Sequence, residues 1–210
     1  MEKPENIKET QRKVWNNIAK LWGEYRQKIP PEVKNFVKKT NGKLLDLGCG
    51  TGRNFWRVRG QELYGIDFSK EMIKLSKENA KNKRIDAKFS VMEAEILKFK
   101  DNFFEGILCW AVLHCIESKE RRMKVLKEIY RVLKPGGETL ISSWGSNSPR
   151  LKNKEKECFI PWSVKDNTKE MRYTYIYDMN EFLDDLSEAG FKIERSWEDR
   201  NVNAIVSKGF

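Results

Sequence analysis

The sequence predicts an α/β fold, a mostly parallel sheet with helices on both faces, and three stretches carry that expectation. In Lys43-Leu44-Leu45-Asp46-Leu47-Gly48-Cys49-Gly50-Thr51-Gly52, an apolar run suited to a strand covered on both faces enters three alternating glycines. Leu63-Tyr64-Gly65-Ile66-Asp67-Phe68 is a further strand pattern, ending on an acid about 20 residues after the first. In Lys134-Pro135-Gly136-Gly137, followed by Glu138-Thr139-Leu140-Ile141-Ser142, proline stops a helix, glycines turn the chain and another strand begins.

The elements follow in order. Val14, Ile18, Leu21 and Tyr25 recur at helical spacing over residues 7–27, with Trp15 and Trp22 on an adjoining face. Pro30-Pro31 breaks that helix and opens a shorter one bearing Val33, Phe36 and Val37, so residues 1–40 read as an N-terminal helical cap. Phe55, Trp56 and Val58 predict a brief helix ended by Gly60. Ser69 opens the next, with Met72, Ile73, Leu75 and Ala80 inward. Strands are expected near 87–92 and 104–110, and Ser118 caps a long helix with Met123, Leu126, Tyr130 and Leu133. Residues 145–172 read as a polar, irregular insertion. Asp178 with Glu181 resembles a capping box for a helix closed by Gly190, and two closing strands follow. No internal repeat or long linker interrupts the 210 residues, which suit one domain, 1–210.

Composition narrows the function classes. A hydrophobic fraction of 39% with seven tryptophans argues for a folded chain. No apolar run reaches membrane-spanning length and the amino terminus has no signal-peptide core, so a cytoplasmic protein with no membrane partner is expected. Four scattered cysteines and one histidine support neither a zinc site nor a disulfide framework. The formal charge of +10 favours a polyanionic partner, although a solvated lysine surface accounts for part of it.

The glycine turn is the chemical centre. A Cβ at Gly48 or Gly50 would block close backbone approach to a ligand. Arg53-Asn54 follow Gly52, so neither the dinucleotide fingerprint nor the phosphate loop fits. Asp67 stands where a ribose-binding carboxylate belongs, and Ser69 is the better cap for the helix behind it. The pattern D-x-G-x-G-x-G resembles motif I of the Rossmann-like S-adenosylmethionine-dependent methyltransferases. That resemblance implies a seven-stranded, mostly parallel sheet with an antiparallel last strand. It implies S-adenosylmethionine as cofactor, held by Asp46, Gly48, Gly50, Arg53, Asn54, Asp67, Phe68, Glu93, Ala94 and Ala111, with the adenine near Glu93-Ala94.

A sharper resemblance starts from Ala111-Val112-Leu113-His114-Cys115, followed by Glu120-Arg121-Arg122. Phe159-Ile160-Pro161-Trp162, Arg172-Tyr173 and Tyr25-Arg26 add to it. Together they are similar to the tRNA wobble-uridine carboxymethyl methyltransferases. Cys115 replaces that family's second histidine, Tyr175 stands where its R-Y-Y-H run has histidine, and the final strand lacks its tryptophan. The resemblance implies methyl esterification of a carboxymethyluridine in the anticodon loop of tRNA, with a small zinc-binding activator subunit as partner. His114, Arg26 and Arg172 are the candidate catalytic residues, the arginines because a guanidinium meets a carboxylate with two parallel bonds.

Other readings stand beside these. Trp110 and Trp162 are candidates for stacking on bases, whereas Trp15, Trp56 and Trp197 are expected in the core. Arg121, Arg122 and Lys152, Lys154 and Lys156 are candidate phosphate contacts. The strand near 87–92 would be a sheet edge able to accept a partner. A small-molecule O-methyltransferase and a non-catalytic cofactor-binding subunit of an RNA-modification complex are the competing functions.

Overall fold

The structure is a computed structural model that describes residues 6–164 and 168–210. In chain order it contains α1 (Ile7–Tyr25), α2 (Pro31–Lys39), β1 (Gly42–Leu47), β2 (Gln61–Asp67), α3 (Lys70–Asn82), β3 (Ala87–Val91) and β4 (Phe104–Trp110). After a 3-10 turn at Leu113–Cys115 come α4 (Lys119–Val132), β5 (Leu133–Trp144), β6 (Glu157–Ser163), β7 (Lys169–Tyr175), α5 (Met179–Glu188), β8 (Lys192–Glu198) and β9 (Asn201–Ser207).

Seven strands form one sheet in the order β3-β2-β1-β4-β5-β9-β8. All run parallel except β9, which pairs antiparallel with both β5 and β8. The near-continuous apolar strands follow from burial on both faces. Leu45, Leu47, Ile107, Cys109 and Ile141 pack toward α4 and α5, while the alternate residues Leu44, Leu108 and Leu140 pack with α2 and α3. Each of these side chains, fully removed from water, stabilises the fold by about 1.5–3 kcal/mol. Asn6, Ser69, Ser118 and Asp178 cap α1, α3, α4 and α5 through side-chain oxygens that accept backbone N–H bonds.

Two expectations are corrected. The brief helix over Phe55–Val58 does not form: residues 51–54 are turn and 55–58 carry no regular structure. Eight residues between the last glycine and β2 are too few to repay helix nucleation, and Phe55 instead buries its ring edge-on against Phe89 at 5.1 Å. The stretch 145–172 is irregular only over its first part, with turns and no regular structure over 146–156. Its second half carries an antiparallel β6–β7 hairpin in which Ile160 faces Arg172 and Trp162 faces Glu170. Lysines masked the alternation there; residues 165–167 of that stretch lie outside the described residues. β3 does lie at the sheet edge. No helix among the described residues is long and apolar enough to cross a membrane.

Candidate active site

The carboxyl ends of β1, β2 and β4 open into one cavity of about 540 Å³. Its floor is the glycine turn. Gly48 and Gly50 have φ of +71° and +55°, where L side chains are strained. A Cβ on Gly48 would lie 2.5 Å from Val112 Cγ2; one on Gly50 would meet nothing nearer than Trp22 Nε1 at 3.9 Å. Glycine therefore serves packing at the first position and open space for a ligand at the second.

At the end of β2, Asp67 accepts from Gly50 N (3.0 Å) and Ser69 N (2.9 Å). Burial pushes its carboxyl up to about 6, against the pull of those N–H groups. Asp46 lies one layer beneath the cavity and accepts from Asn54 Nδ2 at 3.2 Å. Burial pushes it up to about 7, opposed by Asn54 and Arg53. Gly48, Gly50, Arg53, Asn54, Asp67 and Phe68 line this end, with Glu93, Ala94 and Ala111. Glu93 is held by Arg12 and by Lys8 (3.3 Å), and Arg121 holds Glu95 and Glu117. Glu93, Glu95 and Glu117 are thus held in ion pairs, whereas Asp67 is bonded to backbone N–H groups and Arg53 donates to Asn54 Oδ1 at 3.3 Å.

The opposite end is built differently. β4 stops at Trp110, and Ala111 takes a left-handed φ of +62°, its N–H bonded to Ser142 O at 2.8 Å. Such backbone costs about 1–3 kcal/mol and persists only where its surroundings over-determine it. The chain then turns so that His114 enters the cavity wall, stacked on Trp144 at 4.6 Å and 14°. Burial first, then Arg172 and Arg26, push the imidazole down to about 3. His114 is thus neutral at physiological pH and works as a hydrogen-bonding group, its buried Nδ1 having no partner among the described residues.

Arg172 is 5% exposed and does not itself line the cavity. Its guanidinium carbon lies 5.9, 5.4, 5.5 and 5.1 Å from the rings of Trp15, Trp22, Trp144 and Trp162. Cation–π attraction holds it where no carboxylate pairs with it among the described residues. Gln11 of α1 fixes the backbone on either side, donating to Met171 O (3.0 Å) and accepting from Tyr173 N (2.9 Å). Arg26, just beyond α1, lines the cavity 4.9 Å from the Trp22 ring.

Several expectations change here. Trp15 lines the cavity instead of filling the core, because the kept face of α1 closes over the site; Trp56 and Trp197 do pack on the core. Arg121 and Arg122 are not free for phosphates. Arg121 is engaged by acids, and Arg122, 2% exposed, donates to Ile116 O at 3.2 Å with its guanidinium 3.6 Å from the Tyr175 ring. Lys156 is likewise spent on Glu181 at 2.8 Å. Gln11, Trp144, Arg150 and Arg200 belong to the cavity or its support and had not been singled out. Only the Trp15–Trp22 spacing signalled that α1 has a second face.

A Methyltransferase domain family model matches residues 45–141, from the first strand through the fifth. A protein of Encephalitozoon cuniculi that bears a methyltransferase name is 31% identical over 174 residues, 79% of this chain and 78% of that one. A Mus musculus relative named for tRNA methyltransferase 9B is 29% identical over 153 residues, 71% of this chain. This chain spans about a third of that relative's length. The tRNA (carboxymethyluridine(34)-5-O)-methyltransferase of Saccharomyces cerevisiae is 28% identical over 159 residues, covering 71% of this chain and 55% of its own. An S-adenosylmethionine-dependent methyltransferase from Clostridium acetobutylicum superposes with a TM-score of 0.74 at 16% identity, over 93% of this chain and 99% of that one. In the solved complex of the Haloferax volcanii Trm112 methyltransferase activator with a methyltransferase, one chain matches with a TM-score of 0.69 at 15% identity, over 96% of this chain and 98% of its own.

Sheet order, glycine turn and strand-end acid together define a class I, Rossmann-like methyltransferase. The chain belongs to the S-adenosylmethionine-dependent methyltransferase family, and S-adenosylmethionine is its cofactor. The cavity fits that group on its own residues: open space over Gly50, and a carboxylate at Asp67 facing it.

Proposed function

We propose that this enzyme methylates the carboxylate of a 5-carboxymethyluridine at the wobble position of tRNA, giving the methyl ester. The observation that carries this reading is the convergence of Arg26 and neutral His114 on one end of the cavity with buried Arg172 behind its wall, and no carboxylate partner for either arginine among the described residues. Cations left unpaired at such a cost in desolvation fit an anionic acceptor. The Saccharomyces cerevisiae relative's name supports the same substrate.

The bound cofactor supplies an electrophilic methyl group on a sulfonium. An acceptor carboxylate is already anionic, so no general base is needed, in keeping with a histidine that stays neutral. Arg26 binds and orients the carboxylate, Arg172 adds positive charge from behind the cavity wall, and His114 offers a hydrogen bond to the carboxylate or to the uracil edge. The indoles around them exclude water, and alignment of oxygen with methyl is the catalytic task, worth several powers of ten. At the other end Asp67 accepts from the ribose hydroxyls, Glu93-Ala94 and Phe68 border the adenine, and Arg53 with Asn54 and Asp46 serve the amino-acid moiety. Gly48, Gly50 and Ala111 bring backbone close to it.

A small zinc-binding activator would dock on the open edge of β3, where Val91 and Ile96 are 54% and 68% exposed. The Haloferax volcanii complex supports an activator for this fold. The test is mass spectrometry of nucleosides from carboxymethyluridine-containing tRNA incubated with labelled S-adenosylmethionine, with and without the activator. A labelled methyl ester on the wobble uridine is expected. Tight cofactor binding with no labelled tRNA nucleoside under either condition overturns the reading in favour of a small carboxylic acid.

A further inference from the structure

Arginines from three separate segments stand at the mouth of the cavity: Arg26 after α1, Arg150 on the loop after β5, and Arg200 between β8 and β9. None makes an ion pair among the described residues, although acids line the same cavity. Those acids, Asp67, Glu93, Glu95 and Glu117, belong to the cofactor end. Arg150 and Arg200 are exposed, whereas the anion site at Arg172 and His114 is buried. A small carboxylate is served by the buried cations alone. Exposed, unneutralised arginines at the mouth fit a ligand whose further negative charges remain outside when its reactive group is inside.

An aromatic surface adjoins them. Tyr25 is 62% exposed, edge-on to Trp162 at 5.4 Å, with the Arg26 guanidinium carbon 5.6 Å from its ring. A large exposed ring beside cations is the combination that binds single-stranded nucleic acid, base on ring and phosphate on arginine.

We infer that the mouth is a second nucleotide subsite. Arg150 and Arg200 take phosphodiester groups flanking the inserted nucleotide, and Tyr25 stacks the base next to it, an assignment that rests on the tRNA reading above. The inserted base goes to the buried site while its neighbour stays on the rim, so recognition extends over at least two nucleotides. None of these three residues touches the methyl acceptor. Their work is binding, and it appears in affinity and KM, not in turnover at saturation.

The experiment is fluorescence anisotropy of a carboxymethyluridine-containing anticodon stem-loop RNA against the full chain, across a salt series, for wild type, R150Q, R200Q and Y25A. Affinity for S-adenosylhomocysteine serves as the folding control and is expected unchanged in all four. R150Q and R200Q should each flatten the slope of log affinity against log salt by about 0.7, one single-strand phosphate contact apiece. Y25A should weaken binding about 5- to 100-fold, the worth of one stacked base, with the slope kept. Wild-type slope and affinity in all three variants, while wild type methylates the RNA, overturns the subsite and leaves the tRNA reading standing. A wild type that neither binds nor methylates the RNA removes the tRNA reading and the subsite with it.

Discussion

The two ends of the cavity hold comparable numbers of charges and treat them in opposite ways. At the cofactor end Lys8, Arg12 and Arg121 neutralise Glu93, Glu95 and Glu117, and Asp67 is satisfied by backbone N–H groups. At the acceptor end Arg26, Arg150, Arg172 and Arg200 have no acid to answer them among the described residues, and burial with mutual repulsion lowers the proton affinity of Arg26 and Arg172. The acids of the cofactor end are answered from within the chain. A site for an anion stays unbalanced until the anion arrives, and that imbalance gives selectivity for charged acceptors.

The largest test of this contrast is Gly48→Ala. With φ of +71° and a Cβ forced to 2.5 Å from Val112, cofactor affinity should fall by at least about 100-fold in calorimetry with S-adenosylhomocysteine. Ordinary affinity would mean that the turn is not the cofactor floor. Next is Arg172→Met, which keeps length and packing among the indoles. Methylation of the carboxylate acceptor should drop about tenfold, the loss of a buried positive charge a few ångströms behind the site, with cofactor affinity moving less than about twofold. Lysine should not rescue it, because an ammonium lacks the planar guanidinium that stacks among the four indoles.

A smaller effect is read in pH. Ionisation of Asp67 near 6 makes it a full acceptor for ribose hydroxyls, so cofactor binding should tighten several-fold from pH 5 to 7, and D67N should abolish the trend. Stability moves the other way. A carboxyl raised from 3.8 to about 7 contributes stability that is present below 3.8 and lost as pH rises through 7. Asp46→Asn should therefore shrink the fall in Tm between pH 5 and 8 by about 2–8 °C. The smallest effect belongs to Lys8→Ala. Ion pairs this exposed contribute about 0.2–1 kcal/mol, so cofactor affinity should change less than about fivefold; a larger loss would show that the paired end depends on its charges after all.

The contrast also explains what the sequence disclosed. The floor of the cofactor end lies within residues 46–68, where glycine spacing, a strand-end acid and a cap are all local signals, and each was legible. At the other end the proposed roles of His114, Arg26 and Arg172 come from resemblance, from guanidinium chemistry and, for His114, from its place after a strand of an open sheet, since no local spacing fixes them. Arg150 and Arg200 were not legible, because tertiary convergence and not spacing makes them a set. The β6–β7 hairpin was hidden for a related reason: lysine-rich composition reads as loop until Tyr173, Thr174 and Tyr175 are seen to be buried. Trp15 misled in the opposite direction, its apolar bulk reading as core when it lines the cavity.

The Gln11 clamp has a consequence for the order of events in folding. Its two bonds to the β7 backbone span 160 and 162 residues of chain, whereas the glycine turn and Asp67 are joined across only 17. Loop closure that long is entropically late, so the end of the cavity that Gln11 secures is expected to form last and to open most readily. Amide exchange at Tyr173 should consequently run faster than at Gly50, and a partner or RNA that seats on the acceptor side would slow it by completing a unit that the chain alone closes only at its final step.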